Sequence, residues 1–188
     1  MKVAVVDIET TGLDALNELI LEIGIVELNI ETGETKVLFN NFVKETSFGE
    51  EYRNAWIFDN SDMKFEDGLN APNLEKFRNE LQEIFNNYDV TAFNKTFDLG
   101  FLKARGFHFP KELPCIMITA TGICKIPFTK GIRKERYGNR EFKWPKVQEA
   151  WDFFFPNSNY TEGHRAADDA IHEAKILFEL YKSGKFPL

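Results

Sequence analysis

Apolar residues fall into two dense β-branched runs near the start of the chain, residues 2–8 and 19–29, each flanked by turn residues, and both predict strands. The Glu31-Thr32-Gly33-Glu34 stretch predicts a hairpin turn into a third strand over 36–43, which completes an antiparallel meander. The period then changes. Leu74, Phe77, Leu81 and Phe85 recur at helical spacing after Pro72, predicting a helix over 73–86. A short strand over 90–93, a helix over 95–105 closed by Gly106, and a further strand over 115–119 follow. Val147, Ala150, Trp151 and Phe154 share one face of a helix over 145–155, and a last helix runs over 165–182. The order βββαβαβαα predicts an α/β domain, a mixed five-stranded sheet with helices packed on its faces. With 188 residues, 43% of them hydrophobic, the chain fits a single domain spanning 1–188 with a full core.

Within the first strand, side chains alternate, so Val3, Val5, Asp7 and Glu9 point one way while Ala4, Val6 and Ile8 point the other. Two carboxylates ending one face of an apolar strand oppose each other's ionisation unless a cation lies between them. Asp98 and Asp169, each at the start of a predicted helix, bring the acidic set to four. Two Mg²⁺ or Mn²⁺ ions balance that charge, and oxygen donors suit such hard cations. Taken singly, each of these residues has an ordinary explanation: a strand end, a helix start favoured by the dipole, a surface or capping histidine at His164. Together they point to a catalytic site, and a two-metal site stabilises both the attacking and the leaving oxygen in phosphodiester hydrolysis.

On the last helix, a wheel with Ala166 at zero places Asp169 at about 300°, inside an apolar arc from Ile176 at about 280° to Ile171 at about 140°. Asp168, at about 200°, falls among Lys175, Glu179 and His172 on the solvent face. Asp169 is therefore the inward carboxylate, and an unpaired one there needs a cation.

Charge sharpens the picture. The net charge of −7 argues against a uniformly basic coat for nucleic acid, yet residues 125–146 hold eight basic and two acidic residues, a local +6. Such a stretch suits a protein that grips one strand end, and equally a solvated loop. Cys115 and Cys124 fit neither a zinc site nor a disulfide framework, and no long apolar run spans a membrane, so a cytoplasmic protein without membrane association is expected.

DIETTG at 7–12, FNKTFD at 93–98 and HRAADD at 164–169 resemble, in order and spacing, the three motifs of the DEDDh exonucleases, the family of the proofreading epsilon subunit of DNA polymerase III and of ribonuclease T. The resemblance spans nearly the whole chain. It implies a ribonuclease H-like fold and 3′→5′ release of nucleoside 5′-monophosphates from single-stranded nucleic acid, with DNA slightly favoured over RNA. It further implies two divalent cations held by Asp7, Glu9, Asp98 and Asp169, with His164 as general base. Substrate contacts are implied at Thr10, Thr11, Gly12, Leu13 and Asn94, with Leu13 similar to the residue that wedges against the terminal base. A DNA polymerase or other replication partner, and a role in proofreading or repair, enter by the same resemblance. The chain departs from the family pattern at Asp59-Asn60-Ser61, where many members carry His-Gly-Ile, and at Phe93, where a His is common. Two other classes use the same residue types: a ribonuclease H-type endonuclease, and a catalytically silent binding module. His164 and the intact carboxylates favour the exonuclease. Phe97 and Phe101, spaced i, i+4, are expected in the core, and His108 and His172 as surface or packing residues.

Overall fold

The computed structural model describes residues 1–129 and 138–188. Lys130, Arg133, Lys134 and Arg136 of the basic stretch lie outside the described residues.

Strands β1 (Lys2–Thr10), β2 (Ile20–Asn29) and β3 (Thr35–Phe42) form the expected meander. Strand β4 (Asp89–Thr91) adds in parallel to β1, giving the order β3-β2-β1-β4. Two short helices, α1 (Trp56–Asn60) and α2 (Phe65–Asn70), follow β3. A 3₁₀ turn, Leu74–Phe77, leads into α3 (Arg78–Asn87), so the helix predicted over 73–86 is split at its first turn. After β4 come α4 (Lys95–Ala104), α5 (Ile116–Cys124), α6 (Val147–Phe154) and α7 (Ala166–Lys182).

The architecture is the expected mixed α/β one, with four strands among the described residues in place of five. The missing strand is α5. Its β-branched residues suggest period two, but the buried positions are Ile116, Ala120 and Cys124, four apart, while Ile118 is 49% exposed. Its first N–H groups are satisfied by the chain leaving β4, Ile116 donating to Ala92 at 3.2 Å and Met117 to Phe93 at 2.9 Å.

The alternation along β1 divides the core as its pattern dictates. Val3 and Val5 join residues of α5, α6 and α7 in one cluster. Ala4, Val6 and Ile8 join residues of α3 and α4 in the other. Asp7 and Glu9 thus continue the face covered by α7. Along β1, strand β4 pairs with Val3–Val5, so among the described residues the acidic half of β1 has no strand on that side, and the start of α4 lies beside it.

Candidate active site

Three elements deliver the acidic residues to one place. β1 supplies Asp7 and Glu9, the fourth position of α4 supplies Asp98, and the fourth position of α7 supplies Asp169. Helix α7 approaches closely because Gly24, opposite Asp7 in the β1–β2 ladder, has no side chain; a Cβ there would lie 2.3 Å from the Ala166 carbonyl carbon and the Ala167 nitrogen.

The acidic set is electrostatically crowded. Burial, then repulsion from Glu173, Asp98, Glu9 and Asp169, holds the Asp7 carboxyl well above the ordinary range. Burial and then Asp169, Glu22 and Asp98 do the same to Glu9. Burial pushes Asp98 to about 8, against the opposing pull of N–H groups at Asp98 and Ile8.

Ligand atoms of Glu9, His164 and Asp169 lie within 4.8 Å of one another. His164 sits in the loop before α7 with φ 52°, in the left-handed region, a conformation that non-glycine residues keep only where the surroundings impose it. Its ring meets the edge of Trp56, centroids 5.0 Å apart.

Asp169 is inward and 3% exposed, whereas Asp168 is exposed, as the helical wheel requires. The Asp169 carboxylate is not without hydrogen-bond partners, however. Tyr160 donates its hydroxyl to Oδ1 at 2.6 Å, and the Arg165 N–H donates to Oδ2 at 3.1 Å. Asp169 is therefore held in place by hydrogen bonds.

The predicted substrate residues line two clefts beside the acidic set. In one, of about 490 Å³, Thr10, Thr11, Gly12 and Leu13 face Trp56 and Phe97. Leu13 is 88% exposed there. The Thr10 hydroxyl donates to Gly12 O at 2.6 Å, and the Thr11 hydroxyl donates to Glu18 at 2.5 Å while accepting from the Leu19 N–H. Both hydroxyls shape the turn. Asn94 lies in the second cleft, of about 460 Å³, with Trp56, Phe93, Lys146, Glu162 and His164. Phe101 is core, 1% exposed, but Phe97 both packs on it and walls the first cleft. His172 packs as expected, stacked on Tyr160 at 3.6 Å. Within the basic stretch, Lys143 is buried in an ion pair with Glu149, so the local positive charge is not all presented outward.

Sequence reasoning missed Glu173, Trp56 and Tyr160. The wheel that selects Asp169 also puts Glu173 inside its apolar arc, at about 340°, so that signal was readable. Trp56 and Tyr160 reach the site through loops and a single-turn helix, for which no periodicity exists.

A family model described as "Exonuclease" (RNase_T) matches residues 4–177. The chain belongs to this exonuclease family. It is a nuclease of the DEDDh type, as its motifs indicate. It is 28% identical over 181 residues to the "DNA polymerase III PolC-type" of Clostridium perfringens (strain 13 / Type A), covering 96% of this chain and 11% of that protein. Among solved structures, the exonuclease fold is shared with the nuclease domain of 3′hExo, a DEDDh family member bound to rAMP, at TM-score 0.66 and 14% identity, covering 100% of this chain and 96% of that one. It is also shared with E. coli exonuclease I in complex with a dA16 oligonucleotide, at TM-score 0.61 and 10% identity, covering 96% of this chain and 41% of that one. Among the described residues no helix is long and apolar enough to cross a membrane.

Proposed function

We propose that this exonuclease works in the 3′→5′ direction on single-stranded nucleic acid and releases nucleoside 5′-monophosphates. The carrying observation is the grouping of Glu9, Asp169 and His164 within 4.8 Å at the edge of a cleft with room for one nucleotide. The donor set fits hard divalent cations: several carboxylates are buried together, with charge repulsion that cations would relieve. Asp7, Glu9, Asp98 and Asp169 would hold two such ions, Mg²⁺ or Mn²⁺. When bound, they would supply charge stabilisation to the attacking and leaving oxygens of phosphodiester hydrolysis.

The chain's own residues do the rest. His164 accepts the proton of the attacking water on a ring nitrogen, its ring held by Trp56 and by its left-handed backbone. Leu13, Trp56 and Phe97 offer apolar surfaces against which a terminal base packs. Asn94 and Lys146 line the second cleft, where the preceding nucleotide would run. The likeness to a PolC-type DNA polymerase III supports DNA slightly over RNA, and a polymerase or other replication partner.

The test is degradation of 3′-labelled single-stranded DNA and RNA side by side with Mg²⁺, Mn²⁺ or EDTA. Labelled mononucleotide from the first time point, abolished by EDTA, is expected. Internal fragments would mean a ribonuclease H-type endonuclease, and no product under any condition a silent binding module.

A further inference from the structure

Glu173 lies four residues beyond Asp169 on α7, so both side chains leave the helix on one face. That face packs on β1 and β2. Glu173 is 2% exposed there, and its Oε2 has no hydrogen-bond partner among the described residues. A glutamate so enclosed normally has a partner, because desolvating a carboxylate is costly. Here, among the described residues, a backbone N–H at Phe93 is the one stabilising contact that acts on it, and the charges that act on it most, Asp98, Asp169 and Glu162, are all negative. In turn, Glu173 is the strongest charge acting on Asp7.

We infer that Glu173 is a fifth carboxylate of the cation site, offering its unpartnered Oε2 to a divalent ion from the Asp7 end of the cluster. The inference rests on the two-cation reading above. The DIETTG, FNKTFD and HRAADD motifs account for four carboxylates, which two doubly charged ions balance; the fifth leaves the loaded site with one surplus negative charge and so tightens its hold on the ions. A glutamic acid that only fills space would have no such effect.

The two cases separate by titrating Mn²⁺ into the chelator-stripped full chain by calorimetry, comparing wild type, Glu173→Gln and Asp7→Asn, with thermal unfolding in EDTA alongside. The inference expects Glu173→Gln to unfold at or above the wild-type temperature without metal, because one buried charge is gone, and to bind Mn²⁺ roughly 10- to 100-fold more weakly. Should the Gln variant lose its unfolding transition, Glu173→Met supplies the same comparison with similar volume and no carboxylate. Wild-type Mn²⁺ affinity in the Glu173 variant, with binding lost in Asp7→Asn, overturns the inference and leaves the two-cation reading standing. A wild-type protein that binds no Mn²⁺ overturns both.

Discussion

Arg165 grips Glu22 with two nitrogens, Nε 3.1 Å from Oε2 and Nη2 3.0 Å from Oε1, and Glu22 stands opposite Glu9 in the β1–β2 ladder. The same carboxylate accepts the Ala166 N–H at 3.2 Å. One side chain, 2% exposed, therefore fixes both the residue after His164 and the first residue of α7. Arg165→Ala would leave Glu22 buried without its counter-charge, at a cost of about 1–3 kcal/mol. It would also release His164, and misplacing a catalytic group by an ångström costs on the order of 10²-fold in turnover. Thermal unfolding and single-turnover nucleotide release measure the two effects. A destabilised variant with wild-type turnover would show that this pair does not hold the histidine.

The raised carboxylates make stability depend on pH. Asp7, Glu9, Asp98 and Glu173 hold protons more tightly folded than unfolded, so their stabilising contribution is complete below the ordinary carboxylate range near pH 4. It is lost as pH rises through the folded values, which for Asp98 is about 8. Carboxylates whose pKa is lowered, such as Glu27 beside Tyr88 and Lys2, lose their contribution only at the acid end, so the window from pH 5 to 8 is free of them. In EDTA the melting temperature should fall by roughly 5 °C or more across that window. Excess Mg²⁺ should restore it, most strongly at pH 8. A melting temperature flat with pH in EDTA, or unmoved by Mg²⁺, would contradict the charge crowding.

Asp169 and Asp168 are adjacent but not equivalent. Asp169→Asn should abolish nuclease activity, whereas Asp168→Asn, on the exposed face, should leave it nearly intact. Tyr160→Phe removes only the 2.6 Å hydrogen bond to Asp169, while the ring keeps its stack on His172. We expect Mn²⁺ affinity to fall by roughly 10-fold, with little change in melting temperature. Equal losses in the two aspartate variants would refute the inward assignment.

Much of this was legible in the chain because periodicity and burial coincide. The alternation in β1 fixes which face carries Asp7 and Glu9, and the wheel on α7 separates Asp169 from Asp168. Where a short apolar run is buried against its neighbours, as at 115–119, period two and period four compete and the strand reading failed. The bonds that Tyr160 and Arg165 make to Asp169 were unreadable, since loop geometry is set by tertiary contacts. So was the inward turn of Lys143, which local charge counting treats as exposed.

Gly24 sets how closely α7 can approach the acidic strand. A Cβ at this position would meet backbone, the Ala166 carbonyl carbon and the Ala167 nitrogen, each at 2.3 Å, and backbone cannot rotate away as a side chain can. Adding one methyl must therefore displace the start of α7 or distort β2, and overpacking of this kind costs about 1–3 kcal/mol. The displacement falls where it matters, because Asp169 lies two residues beyond Ala167 and groups with Glu9 and His164, while Gly24 itself pairs with Asp7. Gly24→Ala is thus expected to lower the melting temperature and to weaken Mn²⁺ binding together. Gly100→Ala supplies the control: it lies within α4 with nothing within 4 Å of the added Cβ. That change should raise stability by up to about 1 kcal/mol through helix propensity and leave Mn²⁺ binding alone. If Gly24→Ala unfolded at the wild-type temperature and titrated Mn²⁺ like wild type, the close approach of α7 would not be what assembles the site.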